Sequence, residues 1–358
     1  MNDQSLELLR KMSLLNGVSG FEDEVARFMR AEMEGCGEFE RDNLGSLICK
    51  KIGKADAPRI MIPAHMDEIG FAVKDVEECG CIRFSTLGGW LDQVMLGHQV
   101  VVQTRKGELV GVIGCTPPHL MPKEDKDKPI LRKKMFIDVG AKDRKDAEKM
   151  GVRVGDAIVP RQEFVQLKNK KFLLGKAWDD RAGCAVVIDL LTELQQTKHP
   201  NTVFGVGTVQ EEVGTRGAET SANVVAPQFC MVLDVGIATD IPGSEGERKV
   251  SLGKGPVLYM LDAGTISHLR FRDFVMEIAD AKKIPYQLSL IEGGATDARA
   301  VQLHSRGVAS VVFGIPTRYI HSHAGIMHTD DYDAMLRLMV EVIKALGPKR
   351  ADEILGGA

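Results

Sequence analysis

The 358-residue chain lacks any long hydrophobic run, and no apolar stretch approaches the ~20 residues that span a bilayer. Its N-terminus shows no basic segment followed by an apolar stretch, so no secretory signal is predicted and we expect a cytoplasmic protein. It also lacks an excess of positive charge, since 46 Lys and Arg stand against 50 Asp and Glu. Proteins that bind nucleic acid are usually basic. Neither a membrane nor a nucleic acid is therefore an expected partner.

Cysteines are few and scattered, with seven in the chain and no C-x-x-C spacing. This usage is typical of reduced thiols and excludes a disulfide framework. Cys79 and Cys81 could bind a soft metal, but no second Cys or His pair lies near them in the sequence, which favours small structural residues. Aromatic residues make up only 5% of the chain, which argues against a sugar-binding groove lined with aromatic rings.

Hydrophobic residues make up 44% of the chain and charged residues 27%, which is enough apolar material for a large core. The length suggests about two domains. After residue 170, apolar strands alternate with segments of helical periodicity, a pattern typical of a mostly parallel sheet with helices on both faces. Between about 70 and 165, short β-rich runs alternate with glycine turns. This change of pattern predicts a small β-barrel or sandwich inserted into an α/β fold.

Polar residues follow directly after several apolar runs, which is where ligands bind in open α/β sheets. Three such clusters are His65-Met66-Asp67, Gln210-Glu211-Glu212-Val213-Gly214 and Asp234-Val235-Gly236. Two further polar clusters are Trp178-Asp179-Asp180-Arg181, which precedes a predicted helix, and Arg318-Tyr319-Ile320-His321-Ser322-His323, just past the last predicted strand. So many carboxylates at one sheet edge would repel one another unless cations lay between them. Histidine and carboxylate ligands suit zinc, cobalt or manganese, and the sequence therefore predicts a centre with two divalent metal ions.

Each cluster taken alone also has an ordinary structural interpretation. His-x-Asp can be a local hydrogen bond, Glu-Glu a solvated pair, and Asp-Asp-Arg a helix cap with an ion pair. Asp234 after a strand can form an Asx turn. The joint occurrence of these clusters in one chain favours the metal centre over these separate explanations.

The order of these clusters resembles the glutamyl aminopeptidase/TET family of co-catalytic metallo-aminopeptidases, metallopeptidase family 42. Gly293-Gly294-Ala295-Thr296-Asp297-Ala298 is also similar to a glycine-rich segment of that family. The resemblance runs from about residue 5 to 347. It implies a zinc-exopeptidase-like catalytic domain of residues 1–68 and 167–358. Residues 69–166 would then form the inserted β-barrel domain used for subunit contacts, and dimers would assemble into a hollow homo-dodecamer.

The resemblance also implies a role for each residue of the centre. Asp179 would bridge two metal ions, zinc or cobalt, with His65 and Asp234 on one ion and Glu212 and His321 on the other. Glu211 would be the general base. The catalytic residues would include Asp67, which would hydrogen-bond the far nitrogen of His65. His323 is expected to be a loop residue or pocket wall, and the remaining histidines to be structural or at the surface: His98, His119, His199, His268, His304 and His328.

The leading functional prediction is an aminopeptidase that removes N-terminal residues from peptide substrates with a metal-activated water. One alternative is a glycoside hydrolase of the endoglucanase type, because paired carboxylates can cleave glycosides. Scarce aromatics and the two histidines disfavour it. A third interpretation is an assembly protein with a structural metal, but five ligands and an unused Glu211 would leave open coordination positions that structural sites lack.

Overall fold

The computed structural model describes residues 1–244 and 250–356, and within them the chain forms one large sheet, one closed barrel and surrounding helices. The helices are α1 (Asp3–Leu14), α2 (Asp23–Glu32), α3 (Arg144–Met150), α4 (Trp178–Glu193), α5 (Arg216–Val225), α6 (Leu269–Ala281), α7 (Ala298–Val301), α8 (Thr329–Ala345) and α9 (Pro348–Leu355). Within this described part of the chain, none of the helices has the length and apolar character needed to cross a membrane.

Helices α1 and α8 show how the sequence pattern determines local structure. In α1, the side chain of Asn2 caps the helix by accepting a hydrogen bond from the backbone of Ser5. In α8, the apolar positions recur at spacings of three and four residues, and all of them are buried, as the periodicity predicts: Met335, Leu338, Met339, Val342 and Ile343. Burial of this face fixes α8 against the sheet.

The large sheet contains eleven strands. They are β1 (Glu38–Arg41), β2 (Leu47–Ile52), β3 (Arg59–His65), β10 (Val165–Gln166), β11 (Phe172–Gly175), β12 (Thr202–Thr208), β13 (Phe229–Ile237), β14 (Val257–Leu261), β15 (Gln287–Leu290), β16 (Ala309–Arg318) and β17 (Gly325–His328). The main path runs β1-β2-β12-β3-β13-β16-β17-β11-β10, and β14 pairs with β16 and β15 beside it.

The predicted α/β class with helices on both faces is confirmed, and its parallel part is the centre of the sheet. Strands β12, β3, β13 and β16 pair in parallel, whereas the strands toward the margins pair antiparallel, except for β14 with β15. Alternate side chains of β13 enter different cores: Phe229, Met231 and Leu233 lie in one core, and Cys230 and Val232 lie in the other. Burial on both faces explains why these strands read as continuous apolar runs.

The predicted β-rich segment forms a closed barrel in which every pairing between described strands is antiparallel. Its strands are β4 (Gly70–Val76), β5 (Ile82–Leu87), β6 (Gln99–Thr104), β7 (Gly107–Gly114), β8 (Phe136–Asp138) and β9 (Ala157–Pro160). They close in the order β4-β5-β8-β7-β6-β9 around a separate core that includes Phe71, Ile82 and Ile137. Closure leaves the small barrel without a free strand edge.

Two elements have bounds that the apolar pattern does not show. Helix α7 spans only Ala298–Val301, and β13 continues beyond the apolar run that ends at Leu233, as far as Ile237. Short elements such as β1, β17 and α9 follow no clear periodicity. Strand β17 also pairs with β11, which lies far earlier in the chain, and the local pattern does not encode such a pairing.

Candidate metal centre

The predicted ligands meet at the carboxyl ends of the central parallel strands. His65 is the last residue of β3, whereas Glu211 and Glu212 follow β12 and His321 follows β16. Asp234 lies inside β13 rather than after it, paired in register with Gly314 of β16. Asp179 completes the set from the start of α4. Parallel pairing brings these ends together because all four strands run in the same direction.

Two groups of side chains have the geometry of metal sites. His65, Asp179 and Asp234 form one group, and Asp179, Glu212 and His321 form the other. In each group the ligand atoms lie within 4.8 Å of one another. Asp179 belongs to both groups. Among the groups that the described residues form, neither contains Glu211, whose carboxylate lies in the same cavity.

His65 is held with one ring nitrogen toward Asp179. Its Nε2 lies 2.9 Å from Oδ1 of Asp179, and its Nδ1 lies 2.9 Å from the main-chain oxygen of Asp67. A carbonyl oxygen can only accept, so Nδ1 carries the proton. In the neutral ring, Nε2 then presents a lone pair toward a carboxylate, an arrangement that a cation between the two atoms would stabilise.

The carboxylate of Asp67 does not form the hydrogen bond to His65 that the sequence led us to expect, since Nδ1 lies 3.6 Å from its Oδ1. It instead accepts the backbone N–H groups of Glu211 at 3.0 Å and Glu212 at 3.1 Å. It also accepts the hydroxyl of Ser19 at 2.5 Å. Through these hydrogen bonds the fully buried Asp67 holds the turn that carries both glutamates.

A loop of the barrel reaches the other end of the centre. Nδ1 of His321 donates to the main-chain oxygen of Gly89 at 2.7 Å, while its Nε2 lies 3.5 Å from Oδ2 of Asp179. The neighbouring Gly88 has a φ of +80°, and a Cβ atom there would lie 2.9 Å from Oε2 of Glu212. The Gly88-Gly89 turn thus orients one predicted ligand and leaves room for another.

The Asp179-Asp180-Arg181 cluster combines a site residue with a structural anchor. Asp179 and Asp180 have non-helical φ and ψ angles, so the regular part of α4 begins after them. Asp180 accepts the backbone N–H groups of His65 and Gly183. The buried guanidinium of Arg181 donates to backbone oxygens of four residues: Met12, Leu15, Gly17 and Met66. These contacts fix Asp179 against β3 and against the segment after α1.

The carboxylates of the centre repel one another. Burial, together with repulsion from Asp179, raises the pKa of Asp234 to about 8. Burial and neighbouring carboxylates also raise the pKa values of Glu211 and Glu212 well above their ordinary range. Burial opposes ionisation of Asp179 too, but contact with His65 holds its pKa below the ordinary value. Such a cluster gains most from divalent cations, and its histidine nitrogens and carboxylate oxygens match the donor preference of zinc.

Sequence reasoning missed several polar residues behind the centre. Glu22 accepts backbone N–H groups of Gly20 at 2.8 Å and Gln210 at 3.0 Å, and Gln210 has a φ of +57°. Glu68 forms a buried ion pair with Lys176 at 2.5 Å. Apart from the contact between Glu22 and Gly20, these contacts join residues far apart in the sequence, and no motif signals them. The Gly88-Gly89 dipeptide predicts a turn, but nothing in the sequence shows which side chains the turn meets.

The other histidines lie outside both ligand groups. His323 is buried, and its ring stacks on that of His98 with centroids 4.0 Å apart. His268 and His328 cap helices α6 and α8 by accepting backbone N–H groups. His199 contacts Asn201. The histidine of the final cluster that faces the carboxylates is therefore His321.

Comparison with known proteins identifies the family. Residues 45–338 match the M42 glutamyl aminopeptidase family. The chain belongs to this family. It is 35% identical to the glutamyl aminopeptidase of Lactococcus lactis subsp. cremoris over 98% of this chain and 99% of that one. The M42 membership makes the protein an aminopeptidase, a hydrolase of peptides, and excludes the glycoside hydrolase alternative.

Two solved peptidase structures closely resemble this chain. A TET aminopeptidase from a marine-sediment Thaumarchaeota archaeon has a TM-score of 0.96 and 42% identity, covering 98% of this chain and 99% of that chain. The Pyrococcus horikoshii TET1 peptidase has a TM-score of 0.87 and 32% identity, covering 96% of this chain and 100% of that chain. The latter is described as assembling into a tetrahedron or a large octahedral shell.

The use of divalent metal also follows from membership of the M42 family, which consists of metallopeptidases. The two residue groups that share Asp179 are the sites in the described chain that suit such ions. Family membership implies the use of divalent metal, and the local geometry independently offers two groups of side chains that could hold such ions.

Proposed function

We propose that the protein removes N-terminal residues from peptides with a water molecule activated by two divalent ions, zinc or cobalt. The observation that carries this proposal is the sharing of Asp179 between two groups of ligand atoms. In the proposed arrangement Asp179 would contribute to both ion sites, His65 and Asp234 would complete one, and Glu212 and His321 would complete the other. The bound ions would supply a nucleophilic water near neutral pH.

Glu211 is the proposed general base. Its backbone N–H is fixed by Asp67, and its side chain lies in the cavity with Asp234 but outside both ligand groups. Burial and the surrounding carboxylates raise its pKa, which makes the ionised side chain a stronger proton acceptor. Glu211 would take a proton from the attacking water and give it to the amine of the departing peptide.

Asp67 acts as a positioning residue in this proposal. Its carboxylate is a member of neither ligand group but accepts the consecutive backbone N–H groups of Glu211 and Glu212. One buried anion thereby sets the direction of both side chains. The main-chain oxygen of the same residue fixes the ring of His65. A free α-amine of the substrate would bind among the acids of the centre, with Glu211 and Asp234 the nearest candidates.

The proposed roles of Glu211 and Glu212 separate in one experiment. Glu211→Gln keeps the shape of the side chain but cannot accept a proton, so both ions should remain while turnover falls by roughly 10²–10⁴-fold. Glu212→Gln should weaken one ion site, and excess metal should restore part of its activity. Metal content and peptide turnover are measured on the same preparations. If the Glu211 variant lost metal and the Glu212 variant kept it, the two roles would have to be exchanged.

Metal dependence has its own test. A chelator should abolish aminopeptidase activity, and zinc or cobalt should restore it, because the proposed nucleophile needs both ions. Comparing zinc with cobalt on the metal-free protein identifies the more effective ion. Active protein with only trace metal in elemental analysis would contradict the proposal.

We also propose that residues 69–166 are an assembly domain and residues 1–68 and 167–358 the catalytic domain, with dimers building a hollow dodecamer. Support comes from the shell described for the Pyrococcus horikoshii relative. Exposed apolar side chains on the barrel also support it: Leu91, Val110, Val112, Leu120, Leu131 and Val154. Such a shell would admit short or unfolded peptides. Light scattering that found only active monomers at micromolar concentration would contradict this assembly.

A cytoplasmic location is proposed on the chemistry of the cysteines. All seven are free thiols in the structure, and four of them are buried. This state suits a reducing compartment. Fractionation of cells that express the chain, with a cytoplasmic marker as control, measures the location directly.

A further inference from the structure

A cavity of about 360 Å³ opens beside the metal centre, and two chemically different sets of residues line it. One set consists of the carboxylates and histidines of the centre. The other consists of glycines and of mainly apolar side chains, among them Val235, Ile237, Tyr259, Ile291 and Ile320. The described lining residues include no Lys or Arg, and their carboxylates all belong to the centre.

We propose that this cavity receives the side chain of the substrate's N-terminal residue and that the enzyme prefers uncharged, branched aliphatic side chains such as leucine. This inference rests on the proposed function, because that function requires the scissile carbonyl to lie at the metal centre. The side chain of an N-terminal residue is attached to the carbon next to that carbonyl. It therefore enters whatever space directly adjoins the centre.

Strand β13 contributes both a proposed ligand and apolar residues to the lining of the cavity. Asp234, a proposed metal ligand, is followed by Val235, and Ile237 lies two residues further along the same strand. A strand rises about 3.3 Å per residue, so the wall lies within about 10 Å of the ligand. A side chain of leucine size would span part of this distance and contact the apolar residues of the lining.

The glycine segment of the lining provides room for a substrate side chain and adds no charge. Gly293 and Gly294 line the cavity, and a Cβ atom added at Gly293 would meet no atom within 4 Å. Ile291 precedes these glycines, and Ile320 precedes His321. The hydroxyl of Tyr259 accepts the backbone N–H of Ile237 at 3.2 Å, which uses its acceptor within the protein. The lining residues therefore present mainly hydrocarbon to the substrate.

Charged N-terminal residues lack a partner in this cavity. A glutamate side chain would bring another carboxylate toward a centre that already holds several, and no cation of the described lining would neutralise it. A lysine ammonium would lose its hydration without gaining a carboxylate partner among the apolar residues of the lining. Removing an ion from water without a compensating partner is strongly unfavourable, whereas an aliphatic side chain gains free energy on leaving water.

The test compares aminoacyl-p-nitroanilides of leucine, glutamate and lysine on the metal-loaded protein. These substrates contain only an N-terminal residue, so differences in kcat/KM report on this cavity alone. We expect kcat/KM for the leucine compound to exceed that for the glutamate and lysine compounds by about 10²-fold. It should exceed kcat/KM for the alanine compound, tested alongside them, by about 10-fold or more, because alanine fills less of an apolar pocket. Equal or faster hydrolysis of the glutamate or lysine compound would overturn the inference. Hydrolysis of none of them would instead contradict the proposed aminopeptidase function.

A charge-changing variant locates the preference. Ile237 is 42% exposed, so Ile237→Lys adds a cation to the wall without burying it deeply. The ratio of glutamate to leucine kcat/KM should rise at least about 10-fold, since an ion pair replaces an apolar contact. Ile52→Lys is the matched control, because Ile52 is 51% exposed at the end of β2 and does not line the cavity. An unchanged ratio in Ile237→Lys, or an equal change in Ile52→Lys, would overturn the assignment.

Discussion

The large sheet and the barrel are both built from β-strands, but they place polar side chains differently. The central strands of the sheet run parallel, so residues that follow β3, β12 and β16 collect at one edge. In the antiparallel barrel, successive strands end at opposite rims. In the described chain the two groups of metal-ligand geometry take all their members from the sheet side. Strand direction, rather than the number of carboxylates, determines where a cluster of ligands forms.

The barrel still reaches the centre through one turn. Gly89 accepts the Nδ1 hydrogen of His321, and Gly88 lies against Glu212. The barrel core is separate from the two cores of the sheet, so this contact is a local one between differently packed regions. The comparison therefore predicts that changes in the sheet remove the centre, whereas changes in the barrel turn only distort it.

The largest effect is expected for Asp179→Ala. The shared carboxylate serves both ligand groups, so both ions should be lost and turnover should fall by at least about 10⁴-fold. Asp138→Ala, an exposed carboxylate of the barrel strand β8, is the control and should keep both metals and full activity. Elemental analysis and peptide turnover are measured together. Retention of both ions by the Asp179 variant would break the proposed division between sheet and barrel.

A smaller effect is expected for Gly88→Ala. Its Cβ would meet Ile69 and Oε2 of Glu212, which should lower the affinity of one ion site by about 10–100-fold and leave the other ion bound. Gly97→Ala is the matched control. Gly97 has nearly the same φ, +79°, in the same barrel but no atom within 4 Å of an added Cβ. Equal metal content in the two variants would show that the barrel turn does not support the centre.

The apparent metal affinity should depend on pH because the ions replace protons. Burial and repulsion from Asp179 raise the pKa of Asp234 to about 8, so below that pH the metal-free side chain holds a proton that the ion must displace. The dissociation constant should therefore rise about 10-fold per displaced proton for each pH unit from 8 to 6. Competition with a chelator at several pH values measures it. A constant affinity over this range would contradict the expected coupling.

The smallest effect on turnover is expected for Glu22→Gln, which keeps the oxygen that accepts from Gly20 and Gln210. Burial, with repulsion from Asp67, raises the pKa of Glu22 from 4.5 to about 7. A raised acid pKa favours folding at low pH, and this contribution is lost as the pH rises from about 4.5 to 7. The wild type should lose up to about 3 kcal/mol over that window, whereas the variant should lack this loss.

Denaturant unfolding of both proteins at pH 5 and pH 8 measures this difference. The stability of the variant relative to that of the wild type should be higher at pH 8 than at pH 5. Glu24→Gln, on the same segment, is exposed and serves as control. Equal pH dependence in wild type and Glu22→Gln would mean that Glu22 stays ionised in the folded protein.

Most of the predicted ligands lie in or shortly after a strong apolar run, and for this reason the sequence predicted one shared sheet edge for them. Asp179 is the exception, since it lies at the start of α4. The helical face of α8 is buried as its periodicity predicts. Short elements were harder to predict. β11 and β17 have only four residues each and pair with one another across more than 150 residues. Their sequences carry too little periodicity to reveal such a pairing.

Asp67 shows the limit of a local motif. The His-x-Asp spacing predicts a hydrogen bond within the motif, and one exists, but the main-chain oxygen makes it. The carboxylate turns instead to the backbone of residues more than 140 positions away. Sequence spacing limits which groups can meet, but it does not choose among acceptors on the same residue.

The sequence by itself determined the α/β class and the inserted barrel, because periodicity and residue type are local properties. Its resemblance to a known family supplied the prediction of the seven residues expected to carry the chemistry. Only the tertiary structure decided how these residues are held: the carbonyl of Gly89 on His321, the carboxylate of Glu22 behind Gln210, and the apolar wall beside Asp234. These contacts join residues that are distant in the chain. They form because burial leaves each polar group few partners, and the packed fold determines which partner is within reach.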